Sequence, residues 1–173
     1  SPFLKAQVLR TAAEGLVRGA STSKNPELLR HAVEVVALID DPDLKSVAFR
    51  EVAESVVQGA SAGKNPELLK QALEVASRID SPARKAYTLR TVAKAMAQGG
   101  DPGKAAELLI QAVEVAGRID DAEKKADALR AMAETVGQGG DAGKAVELLR
   151  EAVEVADRID DPSEKTYALL RVA

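Results

Sequence analysis

The sequence repeats itself every 40 residues, and that period constrains the fold more than any other property of the chain. Glu-Leu-Leu recurs at 27–29, 67–69, 107–109 and 147–149, and Arg-Ile-Asp closes three blocks at 80, 120 and 160. Lys returns at 5, 45, 85, 125 and 165, and Gly at 19, 59, 99 and 139. The blocks are 1–40, 41–80, 81–120 and 121–160, with 161–173 opening a fifth. A unit this short cannot bury an apolar face alone. Stacked on copies of itself it can, so residues 1–173 are expected to form a single solenoid domain built from local contacts.

Each block reads as two helices. The first begins after Asp41, Ser81, Asp121 or Asp161, whose side chains can accept from the free N–H groups of a helix start. Pro42, Pro82 and Pro162 follow, where a missing N–H costs nothing, and Ser1-Pro2 matches this pattern. In block four Ala126, Leu129, Met132, Ala133 and Val136 recur at helical spacing, and Gly139-Gly140 ends the run. The second helix carries Leu148, Leu149, Ala152, Val153, Val155, Ala156 and Ile159. Asn25-Pro26 and Asn65-Pro66 start it in blocks one and two, whereas Asp101-Pro102 and Asp141-Ala142 start it about one turn earlier in blocks three and four. Alanine occurs 32 times, which suits closely packed helices, and the expected fold is all-α.

Composition narrows the function. Lys plus Arg number 24 and Asp plus Glu 27, so at a net charge of −3 neither nucleic acid nor an anionic membrane is an expected partner. The absence of cysteine removes disulfides, thiol catalysis and thiolate metal sites, and suits a reducing, cytoplasmic setting. Catalysis needs converging reactive groups. His31 is the sole histidine, and its column otherwise holds Gln71, Gln111 and Glu151, so it reads as an exposed helix residue. Gly103-Lys104-Ala105 and Gly143-Lys144-Ala145 lack the first glycine and the hydroxyl of a phosphate loop. Asp40-Asp41, Asp120-Asp121 and Asp160-Asp161 lack calcium-loop spacing. No enzymatic activity, cofactor or metal is expected. Glu74, Glu114 and Glu154 stand four residues before Arg78, Arg118 and Arg158, which predicts ion pairs on an outer face that Leu38 and Ile110 interrupt.

The first helix carries a second pattern, opposite its apolar stripe and spaced 4, 3 and 4 residues apart. Block by block it reads Gln7, Thr11, Glu14, Arg18; Val47, Glu51, Glu54, Gln58; Tyr87, Thr91, Lys94, Gln98; and Asp127, Ala131, Glu134, Gln138. Core columns barely change between blocks, while this face changes at almost every step. Free drift in solvent explains such variation, and so does a lining tuned to a ligand.

Block four resembles the tetratricopeptide (TPR) family. Leu129, Met132, Ala133 and Val136 stand where that motif places its first-helix large and small residues. Gly140-Asp141 is similar to its turn, and Ala145, Leu149 and Ala152 to its second-helix positions. The family's unit is about 34 residues. Here the second helix runs further, Leu and Val replace the usual aromatics, and the closing Pro is displaced into the next block. The resemblance implies a right-handed-type α-solenoid of stacked antiparallel helix-turn-helix repeats. Its first helices would line a concave groove for extended peptides, making the chain a non-catalytic protein-interaction scaffold. Repeats this regular equally suit an engineered or idealised array whose work is shape or self-assembly.

The charge pattern places the candidate site. Arg10, Arg50 and Arg130 each have a glutamate four residues on (Glu14, Glu54, Glu134), but block three has Arg90 and Lys94, like charges on adjacent turns. Tyr87, Arg90, Lys94 and Gln98, beside Asp127, Arg130, Glu134 and Gln138, are therefore the expected partner-binding residues. Tyr167 and Arg171 repeat part of this chemistry. Such a surface suits a protein or peptide with an acidic or carboxylate group. It resembles the carboxylate-binding groove of some chaperone-associated TPR domains, without the asparagine those grooves use: that column holds Glu14, Glu54, Lys94 and Glu134. An acid from a neighbouring repeat, Glu51, Glu54 or Glu134, would neutralise the site. Apolar Phe3 and Leu4 near one end, and Leu169, Val172 and Ala173 near the other, predict a fragment of a longer array or end-to-end self-association.

Overall fold

A computed structural model of the protein describes residues 2–23, 26–63 and 65–172. These form helices α1 (Pro2–Ser23), α2 (Pro26–Ala37), α3 (Pro42–Gly63), α4 (Pro66–Ser77), α5 (Pro82–Gln98), α6 (Pro102–Ala116), α7 (Ala122–Gln138), α8 (Ala142–Asp157) and α9 (Pro162–Val172). Successive helices pair as antiparallel hairpins, α1 with α2 through α7 with α8, and α9 opens the next unit. Each first helix packs on the next first helix, and each second helix packs on the first helix that follows. Successive second helices make no comparable contact among the described residues. The first helices thus form a continuous inner layer and the second helices a spaced outer row. The fold is an all-α solenoid.

The small-residue columns explain the close inner layer. Ala13, Ala53, Ala93 and Ala133 on the first helices, and Ala32, Ala72, Ala112 and Ala152 on the second, are at most 1% exposed. Larger side chains, among them Val36, Val92, Leu129 and Met132, fill the space between them. Ile39, Ile79, Ile119 and Ile159 are buried where each block turns into the next.

Helix starts follow the sequence closely. Asp41 Oδ1 accepts from the Leu44 N–H at 2.8 Å, Asp121 Oδ1 from Lys124 at 3.0 Å, and Asp161 Oδ1 from Glu164 at 2.8 Å. Ser81 occupies the same place without a side-chain bond. Asn65 caps α4 through the Glu67 and Leu68 N–H groups, and Asp101 and Asp141 cap α6 and α8. Asn25 lies outside the described residues.

The recurrent lysine also acquires a role. Lys85 Nζ donates to the Ser77 carbonyl at 2.7 Å, Lys125 to Gly117 at 2.7 Å, and Lys165 to Asp157 at 2.6 Å. In each case an ammonium from the next hairpin satisfies a terminal carbonyl of the preceding second helix, where the helix dipole is negative.

The sequence of the turn sets two kinds of hairpin, one in the first two blocks and the other in the next two. Gly100 and Gly140 adopt φ of 93° and 96°, ending α5 and α7. There the Asp101 N–H bonds the Met96 carbonyl at 3.0 Å and Asp141 bonds Val136 at 3.3 Å, closing the helix ends. Blocks one and two carry Ala20 and Ala60 at that position, and a Cβ makes a left-handed backbone costly. Their first helices therefore continue to Ser23 and Gly63, and their second helices start later, at Pro26 and Pro66. The earlier start in blocks three and four matches the sequence reading; the compensating extension of α1 and α3 is additional.

One expectation fails. No ion pair joins Glu74 to Arg78, Glu114 to Arg118 or Glu154 to Arg158 among the described residues. α4, α6 and α8 end at Ser77, Ala116 and Asp157, so these arginines stand at or beyond the helix end and off the helical row. Lys70 pairs with Glu67 and Lys144 with Glu147 instead, three residues apart.

Candidate functional site

The variable face of the first helices lies on the inner layer, but it is not a free solvent face. The adjoining first helix partly covers Val47, Glu51, Glu54, Tyr87, Thr91 and Asp127, and Ala131 is buried. The placement of Ala131 corrects the simple picture of a stripe opposite the core, because each first helix has a neighbour of its own kind on that side.

Across α1 and α3 the inner surface is internally paired. Arg10 Nη1 meets Glu51 Oε1 at 3.1 Å and its Nε lies 4.0 Å from Glu14, while Arg50 Nη1 meets Glu54 at 3.3 Å. Here the bases Arg10, Arg18 and Arg50 stand against the acids Glu14, Glu51 and Glu54, so the face is balanced in charge.

Across α5, α7 and α9 bases outnumber acids, with Arg90, Lys94, Arg130 and Arg171 against Asp127 and Glu134. Arg171 Nη2 pairs with Asp127 Oδ2 at 2.9 Å, and Arg130 pairs with Glu134. Arg90 pairs with no acid among the described residues; its Nη1 donates to Thr135 Oγ1 at 3.3 Å and its guanidinium lies 5.8 Å from the centre of the Tyr87 ring. Arg171 makes the same contact with Tyr167 at 5.4 Å. Burial pushes the Tyr87 phenol up and Asp127 adds to this, against the opposing pull of Arg90, Arg130 and Arg171. Lys94 makes no ion pair among the described residues, although Glu54 and Glu134 occupy its column in the flanking repeats. Gln98 and Gln138 are exposed, and their side chains make no hydrogen bond among the described residues.

The eight expected residues therefore divide. Tyr87, Arg90, Asp127, Arg130 and Glu134 form a cluster joined across repeats, and Arg171 belongs to it. Lys94, Gln98 and Gln138 line a cleft of about 620 Å³ between the third and fourth hairpins. Its walls are mostly apolar, with Ala93, Ala97, Leu109, Val113 and Val136 among them. The inner-face spacing gave no sign of this cleft; Ile110, apolar in a column of Arg30, Lys70 and Arg150, was the one signal for it.

The other motifs have structural roles. His31 is exposed. Asp40 pairs with Lys5 at 2.8 Å. Lys104 reaches back to Asp101 at 2.7 Å in the first turn of α6. No three metal-ligating side chains converge among the described residues, and no described helix is long and apolar enough to cross a membrane.

Architecture and surface together define a helical-repeat solenoid with one charge-asymmetric inner layer. No family model and no curated protein matches the chain. Among solved structures, Ton1535 from Thermococcus onnurineus NA1 is 20% identical with a TM-score of 0.42 over 99% of this chain, which spans 50% of that one. The DHF79 filament is 21% identical at a TM-score of 0.34, covering 98% of this chain and 97% of its own. The de novo designed helical repeat protein DHR64 is 24% identical at 0.34, with coverages of 99% and 92%. Scores of this size do not establish a common superhelix.

Proposed function

We propose that the chain is a non-catalytic scaffold that holds a carboxylate-bearing protein or peptide segment against the inner layer of α5 and α7. One observation carries this reading. Lys94 makes no ion pair among the described residues, nor does the adjacent Arg90, whereas Arg10, Arg50 and Arg130, which share the Arg90 column, are each paired with an acid. A ligand carboxylate would supply the missing acid through a charge-assisted bond. The TPR resemblance supports the same face, since it assigns peptide contacts to the first helices.

The test is fluorescence anisotropy of a labelled oligoglutamate peptide at low and moderate salt. Binding that weakens with salt is expected, and Lys94→Glu should weaken it about tenfold by replacing attraction with repulsion. Equal affinity of wild type and variant at both salts would overturn the assignment.

A second reading, a structural array that associates with itself, draws on exposed Phe3, Leu4 and Val8 on α1 and on Leu170, 74% exposed, on α9. The Val172 side chain and Ala173 lie outside the described residues. Sedimentation that stays monomeric at high concentration would remove this reading.

A further inference from the structure

The same inter-hairpin space occurs twice, and its two versions differ in a way the fold does not require. Between the second and third hairpins it is about 320 Å³, bordered by Pro66, Leu69, Lys70 and Met96. One repeat later the equivalent positions are Ala106, Leu109, Ile110 and Val136, and the space is about 620 Å³. Two causes are visible. Val136 is shorter than Met96, and Leu109 is only partly covered where Leu69 is buried. The earlier start of α6 turns its first leucine, Leu108, into the core instead.

Ile110 gives the enlarged cleft a direction. It is 59% exposed at the rim, where Lys70 pairs with Glu67 in the preceding repeat. A lone exposed isoleucine is ordinary. This one continues the apolar wall of Leu109 and Val113 outward, so contiguous apolar surface meets solvent. Charges at the opening are also ordered. Lys94 stands on the inner helix α5 without an ion pair among the described residues, with Gln98 and Gln138 beside it; Glu114 lies on the outer helix α6. Asp141 is engaged as the α8 cap, and Lys144 pairs with Glu147 at 2.9 Å.

We infer that this cleft receives an aliphatic side chain of a partner peptide whose neighbouring carboxylate is held by Lys94, with Glu114 turning the acidic end inward. The inference rests on the scaffold function proposed above and adds the apolar half of the recognition. Burying one leucine-sized side chain in such a cleft accounts for at least about a tenfold gain in affinity.

The experiment follows amide shifts of the full chain during titration with two acetylated peptides, one with two leucines followed by two glutamates, the other with alanines replacing the leucines. The leucine peptide should move Leu109, Ile110, Val113 and Val136 together with Lys94, and bind about tenfold tighter than the alanine peptide. Ile110→Lys, which installs the residue type of the flanking repeats at an exposed site, should abolish that difference. Val136→Met, which refills the space as Met96 does, should do the same. Equal binding of the two peptides near Lys94 would overturn the cleft assignment and leave the inner-face function standing. No shift near Lys94 with either peptide would overturn both. Concentration-dependent shifts at Ile110 without peptide, lost in Ile110→Lys, would identify the occupant as a second copy and overturn the peptide assignment.

Discussion

The first two hairpins and the next two share one period and one core, yet divide their residues differently between helices. α1 and α3 have 22 residues each and their partners 12, whereas α5 and α7 have 17 and their partners 15 and 16. Ala60 against Gly100 accounts for where the chain turns. That choice rotates the start of the second helix, exchanging which leucine of Glu-Leu-Leu is buried: Leu69 in one half, Leu108 in the other. The surface differs in parallel, balanced in charge in the first half, base-rich with an open cleft in the second. A backbone decision at one residue thus propagates to the shape of a surface several residues away.

The strongest way to break the comparison is through the core common to both halves. Leu129 is fully buried in the fourth repeat, so Leu129→Ala should cost about 2–5 kcal/mol in urea unfolding followed by circular dichroism. Leu9, its counterpart in the first repeat, is only partly buried, and Leu9→Ala should cost less. Equal losses would mean that the end repeat is packed as tightly as an internal one.

Glycine substitutions should change sign between halves. Gly100→Ala places a Cβ on a backbone at φ 93°, with nothing within 4 Å to clash, so strain alone should destabilise by about 1–2 kcal/mol. Gly15 sits inside α1 with open space around it, so Gly15→Ala should instead stabilise by about 0.5–1 kcal/mol. The caps sharpen the contrast further. Asp101→Ala should cost about 1 kcal/mol, and Ser81→Asp should gain a few tenths or more by supplying the bond that Asp41 and Asp121 already make.

The smallest effect is that of acid. Lys5 holds the Asp40 carboxyl below its ordinary range, and Lys104, Lys124 and Lys165 do the same for Asp101, Asp121 and Asp157. Folded-state values below unfolded ones give stability that is present above about pH 4 and lost as the pH falls further. Because these groups are exposed, helicity should hold from neutrality to about pH 5 and weaken only beneath that. A loss centred near pH 6 would contradict it.

How much of this was legible beforehand follows from which interactions are local. The period, the paired helices and the caps at Asp41, Asp101, Asp121 and Asp141 depend on neighbours in sequence, and all were readable. So were the Arg10–Glu14, Arg50–Glu54 and Arg130–Glu134 pairs, which lie one turn apart. Partners in adjoining repeats were not readable: Arg10 with Glu51, Arg171 with Asp127, and Arg90 with Thr135 span about one whole repeat. The Glu74–Arg78 expectation failed for a related reason, since spacing alone does not say where a helix ends. The cleft depends on volumes contributed by several helices at once. Only Ile110, out of character with its column, hinted at it.

The lysines that reach backward to Ser77, Gly117 and Asp157 make the second, third and fourth hairpins depend on their successors for completion. The dependence has a polarity: nothing equivalent runs from a hairpin to the one after it through these contacts. A cut in the loop between hairpins would therefore leave unequal products. Both pieces would lose the packing between their hairpins, but only the upstream piece would also lose the donor on its final turn, and that turn would fray. The downstream piece would keep the lysine and lose its carbonyl acceptor. During synthesis from the amino end, each unit would be finished only when the next emerges, so that maturation of the array trails its growth by about one repeat.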